Sequence, residues 1–452
     1  MNVTVVTGIG AAGEATVAEA LGNAPELRLV RRCPDVADLL AVCAAARADV
    51  AVVAPDFTGL DRTVLGQLRA AGVGIVGVHR PGDEEQQRVL QQWGVVTLLP
   101  IGAEVRDLAA AVRSAVPASA HSTEEADSLP AEAHSPADLD HELAALTSGS
   151  AGAPYVPANP FIGDQPTPQA PDGSGAGRVV TVWGPGGAPG RTTVAVNLAA
   201  EAARSGVPVV LVDADTYGAA VAQHLALLDE APGVAAATRL ADSGHLDLHS
   251  LAAVAPEVSP GFRVLTGLPR TERWPELRED ALTAVLDQCR RLAALVVIDV
   301  AAPLEEDEEL SYDTTAPRRN AATLAALRAA TTVLAVGAAD PVGLQRLVRG
   351  LDELRSVTAD QPVVVANKVR SGAVGSSPAR RVAEALQRFA GVSRLTLVPD
   401  DRDATDAALL AGQVLAQQAS SSPTRRAIAE LAAELSGAPT VPTRRARFAG
   451  RR

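Results

Sequence analysis

A glycine-rich turn between an apolar strand and a long helix constrains this chain more than any other feature. The run Val179–Trp183 has the composition of a buried strand, and the helical pattern Val194–Arg204 follows downstream. Between them, the segment Gly184–Gly190 holds four glycines and two prolines. Backbone N–H groups in such a turn, together with the positive end of the helix dipole, attract phosphate. The sequence therefore predicts a phosphate-binding loop in a mostly parallel α/β sheet.

Acidic residues follow this loop at the ends of apolar strands. The next strand along the chain ends at Asp213 and Asp215, and the run Leu295–Ile298 ends at Asp299. A carboxylate at a strand end of this kind can hold the coordination shell of Mg²⁺ near a phosphate. The hydroxyl of Thr192 stands where a phosphate loop places a further Mg²⁺ ligand. These positions together indicate a site for a phosphate group with its metal ion.

The loop and its surroundings resemble the deviant Walker A motif of the MinD/ParA ATPases, whose pattern is roughly K-G-G-x-G-K-T-T-x-x-x-N-L-A. The matching positions are Gly187, Gly190, Thr192, Thr193, Asn197, Leu198 and Ala199. The distance along the chain from Thr192 to the acidic pair Asp213 and Asp215 also fits that family. The resemblance covers residues 178–435. It implies a P-loop NTPase domain of the MinD/ParA type, with ATP and Mg²⁺ as cofactors.

Two positions depart from the family pattern. The usual P-loop lysine is Arg191, and the family's signature lysine, which reaches across a dimer to the other subunit's nucleotide, falls on Gly186. The chain contains one lysine, Lys368, so arginine replaces lysine almost everywhere and Arg191 alone does not indicate an inactive enzyme. Arginine keeps the positive charge, but its guanidinium is bulkier and planar, so the exchange is not neutral at a tight phosphate site.

The resemblance assigns roles residue by residue. Asp215 would orient the attacking water, Asp213 would support the switch segment, and Arg191 with the loop amides would hold phosphate. Thr192 and Asp299 would hold Mg²⁺. The residues expected to bind the nucleotide are Gly186, Gly187, Ala188, Pro189, Gly190, Arg191, Thr192, Thr193, Asn367, Pro399 and Asp400. For Asn367, an ordinary turn at a strand end is an equal alternative to a contact with the base.

Residues 1–116 alternate between strand and helix patterns in five units, which is typical of a flavodoxin-like sheet. Their order and length resemble a response-regulator receiver. Receivers need acidic residues after the first strand, but Thr7–Gly10 contains none, and Ala54 stands at the phosphate-acceptor position with Asp56 two residues beyond it. The lysine expected after the fifth strand is replaced at Pro100–Gly102. We therefore expect a pseudo-receiver that serves docking or dimerisation.

The rest of the chain divides by composition. Residues 117–177 are rich in small, polar and acidic residues, so we expect a flexible linker, because this segment cannot bury enough apolar surface to offset the entropy of ordering. Residues 178–435 would form the nucleotide-binding domain, and residues 436–452 a basic, disordered tail. The acidic segment Leu304–Leu310 is either a solvated insertion or a partner-binding lid.

The net charge and the cysteine content limit the partners and the cellular compartment that we expect for this protein. The net charge of −13 argues against nucleic acid as a general partner. Three cysteines without C-x-x-C spacing indicate reduced core thiols, and no apolar run approaches the roughly 20 residues of a membrane span. We therefore expect a cytoplasmic protein. Its basic tail either makes a weak peripheral contact, with the anionic inner surface of the plasma membrane or with nucleic acid, or is only a disordered, solubilising segment.

The segment after the acidic pair Asp213 and Asp215 resembles particular branches of the MinD/ParA family. The residues Tyr217–Leu225 and Pro232–Val234 look like the CpaE/TadZ branch, which positions pilus machinery, and are also similar to septum-site-determining proteins. The implied function is an ATP-dependent dimerisation switch that hydrolyses slowly and localises a pilus or cell-division machine. Its partners would be a second copy of itself and the proteins of that machine. A catalytically degenerate nucleotide-binding scaffold is the alternative, and DNA partitioning of the ParA type is a weaker one.

Overall fold

The computed structural model describes residues 2–45, 47–117, 176–187, 189–227, 232–306 and 317–437. Most of the expected linker at 117–177 and most of the expected tail at 436–452 therefore lie outside the described residues. So do Ala188, an expected nucleotide-binding residue, and the acidic segment beyond residue 306.

The N-terminal part forms a five-stranded parallel sheet with the strand order β2-β1-β3-β4-β5. The strands β1 to β5 are Val3–Gly8, Leu27–Arg32, Val50–Val53, Gly74–His79 and Thr97–Pro100. The helices α1 to α5 that alternate with them are Ala11–Gly22, Val36–Ala44, Arg62–Ala70, Glu84–Gln92 and Val105–Ala115. This is the strand order of flavodoxin-like sheets. The alternation of strand and helix expected from the sequence is confirmed.

The C-terminal part forms an eight-stranded sheet with the order β13-β12-β11-β6-β10-β7-β9-β8. All neighbouring strands are parallel except β8 and β9. The strands β6 to β13 are Arg178–Trp183, Val209–Ala214, Glu257–Ser259, Phe262–Leu265, Leu295–Val300, Thr332–Ala338, Val363–Val369 and Leu395–Pro399.

Twelve α-helices are described in this C-terminal part of the chain. The helices α6 to α17 are Arg191–Arg204, Val221–His224, Gly233–Asp242, Leu248–Val254, Glu279–Leu292, Ala321–Arg328, Pro341–Leu354, Ser371–Val374, Pro378–Ala390, Arg402–Ala411, Leu415–Gln418 and Pro423–Ser436. Because the helices cover both faces of the sheet, the central strands β7 and β10 are buried along their whole length. None of the described helices combines the length and apolar character that crossing a bilayer requires.

The three central strands bring the expected site residues to one edge of the sheet. Strand β10 lies between β6, which leads into the glycine loop, and β7. In this register Asp299 on β10 stands directly beside Asp213 on β7. The carboxyl ends of parallel strands are where open α/β sheets bind ligands, and this arrangement places the loop and both carboxylates there.

A buried ion pair fixes helix α6, which begins at the glycine loop. The Arg425 guanidinium on α17 donates to both carboxylate oxygens of Glu201 on α6, over 2.6 and 2.9 Å. The side chains are 9% and 7% exposed. Asn197 fixes the same helix differently, since its side-chain oxygen accepts a hydrogen bond from the backbone N–H of Leu415 at 2.7 Å. Asn197, a residue of the family pattern, thus holds α6 against α16.

Polar contacts join the helices of the first sheet to those of the second. The indole N–H of Trp93 donates to the backbone carbonyl of Asp242 at 3.0 Å. The Arg278 guanidinium lies 3.1 Å from the carboxylate of Asp61, which also caps helix α3. The two α/β parts therefore meet through α3 and α4 on one side and α8 and α10 on the other.

Candidate nucleotide-binding site

The glycine loop has a backbone that only glycine adopts without strain. Gly187 has φ of 109° and Gly190 has φ of 100°, both in the left-handed region. A side chain at Gly190 would also collide with Asn367, whose amide nitrogen would lie 2.4 Å from the added Cβ atom. That same amide donates to the Pro189 carbonyl at 2.8 Å. In this structure Asn367 therefore supports the loop from the end of β12.

Helix α6 starts immediately after the loop, with Gly190 as its N-cap and Arg191 as its first residue. The first N–H groups of a helix have no partners within the helix and carry partial positive charge. With 14 residues, α6 is long enough for a full dipole. The loop and the helix start therefore supply the anion-binding geometry expected from the sequence.

Thr192 and Asp299 meet at this helix start. The Thr192 hydroxyl donates to Oδ2 of Asp299 at 2.5 Å. Asp299 is fully buried, and its other oxygen, Oδ1, has no hydrogen-bond partner among the described residues. Burial raises the pKa of the Asp299 carboxyl well above its usual value, and the nearby Asp213 charge adds to the shift. A positive ion would offset both effects, so this pair fits a hard cation.

The Thr192 hydroxyl and the Asp299 carboxylate suit Mg²⁺, which is commonly shared between protein and substrate, rather than a metal ion that the protein holds alone. No cluster of three or more His, Cys, Asp or Glu side chains with metal-binding geometry occurs in the described part of the chain. Mg²⁺ commonly takes only one or two carboxylates and fills its shell with water and substrate phosphates. A hydroxyl and a carboxylate at the start of α6 meet that requirement.

Arg191 turns back onto the strand ends. Its guanidinium donates to the Gly184 carbonyl at 3.1 Å and lies 3.3 Å from the Asp215 carboxylate. The side chains of Arg191 and Asp215 are 16% and 6% exposed. The charge of Arg191 is therefore shared between loop carbonyls and an acidic residue in this structure.

The acidic pair after β7 holds the turn that follows it. Oδ1 of Asp215 accepts the backbone N–H groups of Tyr217 and Gly218 at 2.8 and 2.9 Å. Oδ2 of Asp213 accepts those of Ala220 and Val221, both at 3.0 Å. Burial raises the pKa of Asp213 to about 7. A change in the charge near these carboxylates would therefore alter the hydrogen bonds that hold the turn.

Arg319 also belongs to this region, although the sequence analysis assigned it no role. Its guanidinium carbon lies 3.9 Å from the ring centroid of Tyr217 and 5.4 Å from that of Trp274. It also donates to the backbone carbonyl of Thr216 at 3.0 Å. Aromatic residues make up only 2% of the chain, so the rarity of Tyr217 and Trp274 was the signal that could have drawn attention to them.

A cavity of about 620 Å³ opens beside the loop and the start of α6. Expected site residues that line it are Pro189, Gly190, Arg191, Thr192, Thr193, Asp215, Asn367, Pro399 and Asp400. Gly186, Gly187, Asp213 and Asp299 do not line it. His224, Lys368 and Arg402 do, although the sequence analysis assigned them no role. A volume of this size is within the range of small-molecule sites.

Comparison with known proteins identifies the family. The protein-family model described as the CobQ/CobB/MinD/ParA nucleotide binding domain matches residues 180–410, just over half of the 452 residues. No curated protein matches the chain.

Solved structures similar to this chain include a ParA family ATPase from Chlorobium tepidum TLS, with 17% identity, a TM-score of 0.48 and coverage of 57% of this chain and 99% of that chain. The cell division ATPase MinD of Pyrococcus furiosus has 20% identity, a TM-score of 0.46 and coverage of 58% and 99%. The septum site-determining protein MinD of Pyrococcus horikoshii OT3, complexed with Mg-ADP, has 19% identity, a TM-score of 0.45 and coverage of 57% and 95%. On the extent of the family match, this chain belongs to the CobQ/CobB/MinD/ParA family of nucleotide-binding domains.

Proposed function

We propose that this chain binds Mg·ATP and acts as a slowly hydrolysing, nucleotide-dependent dimerisation switch. The observation that carries the proposal is the contact of the Thr192 hydroxyl with Asp299 at 2.5 Å, where the glycine loop meets α6. This contact brings a metal-binding pair to an anion-binding helix start, beside a cavity of about 620 Å³. A phosphate chain, its metal ion and a base would each have a place there.

Each group of the chain has a proposed task. The N–H groups of the loop and of the first turn of α6 bind phosphate oxygens. Thr192 and Asp299 hold Mg²⁺, which supplies neutralisation of phosphate charge when bound. Asp215 orients the attacking water, and Asp213 keeps the turn after β7 in place. Asn367, Pro399 and Asp400 face the base and the sugar.

The second candidate is a nucleotide-binding scaffold without hydrolysis. Two features favour it: Gly186 has no side chain to neutralise phosphate charge, and Arg191 is engaged with Asp215. Loss of a cation near the transferring phosphate costs orders of magnitude in rate in other phosphoryl-transfer enzymes. DNA partitioning of the ParA type is disfavoured by the net charge of −13.

The cellular role is proposed from the family resemblance. We infer that residues 178–435 form the switch, that residues 1–116 form a pseudo-receiver docking module, and that residues 117–177 link them. The cargo is a pilus-assembly or cell-division machine of the CpaE/TadZ or septum-site-determining type. A second copy of the chain is the first partner, and the basic tail at 436–452 offers a peripheral contact with the inner face of the plasma membrane.

Calorimetric titration of the purified chain with ATP, with and without Mg²⁺, tests the proposed binding. We expect Mg²⁺ to tighten binding in the unmodified protein. Thr192→Ala should remove most of this gain while leaving metal-free ATP binding nearly unchanged, whereas Thr358→Ala, outside the loop and the cavity, is the matched control. An equal loss in both conditions would show that Thr192 is not a metal ligand. No binding at millimolar ATP and Mg²⁺ would reject the function itself.

A further inference from the structure

Helix α12 is fixed against the base of the glycine loop. Its N-terminus is capped by Asp340, whose carboxylate accepts the N–H groups of Val342 and Gly343. Leu347 is fully buried beneath it. At Gly350 the helix backbone comes so close to the strand that leads into the loop that an added Cβ atom would lie 2.9 Å from the ring of Trp183. The position of α12 relative to the loop is therefore set by core packing.

This packing carries the Arg346 side chain to the loop. Its Nη1 atom lies 3.4 Å from the Gly186 carbonyl oxygen, and an added Cβ atom at Gly187 would lie 2.1 Å from that same nitrogen. The guanidinium therefore occupies the space that the missing side chain of Gly187 leaves open, and the space beside Gly186 is free of described residues. A positive charge therefore lies beside the loop segment Gly184–Gly190, whose own side chains carry none.

The two arginines near the loop differ in how they are held. Arg191 is mostly buried and bound to Asp215 and to loop carbonyls. Arg346 is exposed, and within the described ranges its hydrogen bonding is limited to the long contact with Gly186, with no ion pair. A weakly held, exposed guanidinium can turn toward an incoming anion with little loss of existing contacts. Its fork of N–H donors matches the oxygens of a phosphate.

The cavity lies beside only one end of the glycine loop. It is lined by Pro189 and Gly190 but not by Gly186 or Gly187. If the base and sugar occupy the cavity, the phosphates extend along the loop from Gly190 toward Gly187. Arg346 then lies at the end of the chain that is farthest from the base.

We propose that Arg346 binds the terminal phosphate of a nucleoside triphosphate and thereby makes the site prefer ATP to ADP. The inference rests on the proposed nucleotide binding and adds a residue from outside the loop to the site. It predicts a dependence on phosphate number, which a purely structural role of Arg346 in bracing the loop would not produce.

Titrations of the full chain with Mg·ATP, Mg·ADP and adenosine test the proposal in Arg346→Gln, Arg346→Lys and Arg349→Gln. Arg349 is exposed on the same helix and provides an equal change in charge. We expect Arg346→Gln to weaken Mg·ATP about tenfold, Mg·ADP less and adenosine not at all. Arg346→Lys should recover part of the loss, and Arg349→Gln should match the unmodified protein for all three ligands.

The outcomes distinguish a failure of the proposed role of Arg346 from a failure of the proposed nucleotide binding. If the unmodified chain binds Mg·ATP and Arg346→Gln binds it equally well, Arg346 has no phosphate role. A loss of the same size for ATP, ADP and adenosine would mean that Arg346 only braces the loop, which also overturns the proposal. If the unmodified chain binds none of the three ligands, the proposed function fails and the inference falls with it. Thermal unfolding of each variant shows whether a loss reflects the fold.

Discussion

The guanidinium of Arg191 and the carboxylate of Asp215 lie 3.3 Å apart and form an ion pair. One of these residues was expected to hold phosphate and the other to orient the attacking water. In the structure both are paired with a neighbour inside the protein. If the two residues have the proposed roles, this pair must separate before either can act, and we expect that separation to cost free energy. We therefore expect slow turnover of ATP.

Restoring the family's lysines should accelerate hydrolysis. In Gly186→Lys combined with Arg191→Lys, an ammonium would stand at each loop position, and the planar contact with Asp215 would be lost. We expect ATP turnover to rise roughly tenfold or more, since cations near the transferring phosphate stabilise the transition state. Release of inorganic phosphate measures the rate. Adding Asp215→Ala should abolish the gain, and fast turnover in the unmodified chain would show that another group already does this work.

Arg319 should report on the turn that carries Asp215. Because it bonds to the carbonyl of Thr216 and lies over the rings of Tyr217 and Trp274, a rearrangement of this turn must change the surroundings of Trp274. We expect Mg·ATP to change tryptophan emission.

Three variants assign that signal. Trp274→Phe should remove it, and Arg319→Met should reduce it while keeping the bulk of the side chain. A response that persists in Trp274→Phe would come from Trp93 or Trp183 and would contradict the link between the turn and Arg319.

Asp242 should make stability depend on pH. Burial first, and then the charge of Asp61, raises the pKa of Asp242 to about 6, while Arg278 and Arg62 oppose the shift and Asp280 adds to it. The folded chain thus keeps a proton that the unfolded chain loses near pH 4. This group's contribution to stability therefore falls as pH rises from about 4 to about 6.

Asp242→Asn removes that dependence. We expect its Tm to exceed that of the unmodified chain by about 2 °C at pH 8, with the difference shrinking toward pH 4.5. Asp287→Asn on exposed α10 surface is the control and should show no such trend. A constant difference between the variant and the unmodified chain at all pH values would contradict the assignment.

The N-terminal part should not accept phosphate. Ala54 is fully buried at the expected acceptor position, and the carboxylate of Asp56 is engaged with the N–H of Gly10 at 3.2 Å and with Arg80 at 3.1 Å. Incubation with a small phosphodonor such as acetyl phosphate should leave the intact mass unchanged. A phosphoryl adduct on Asp56 would remove the pseudo-receiver interpretation, and Asp56→Asn would confirm the position of such an adduct.

The local sequence pattern was sufficient to predict the strands and the carboxylates around which the candidate site is built. Apolar runs that end in Asp213 and Asp299 place both carboxylates at one sheet edge whenever the strands are parallel, and the register confirms that they are neighbours. The contacts that the pattern could not supply join residues far apart in sequence. Asn367 reaches the loop across 178 positions, and Arg346 reaches Gly186 across 160. Such pairs depend on which helix covers which strand, a choice made by packing over the whole sheet.

The buried pair of Glu201 and Arg425 sets an order of events during synthesis. The arginine leaves the ribosome 224 residues after its partner, and until then the helix that begins at the loop carries a carboxylate that cannot be buried without a large cost. The first sheet has no such dependence, because its strands and helices all fall within residues 3–115. A nascent chain can therefore complete its first part long before the second sheet and its covering helices are complete. Products of interrupted translation would retain the five-stranded N-terminal part and lack a complete nucleotide-binding domain.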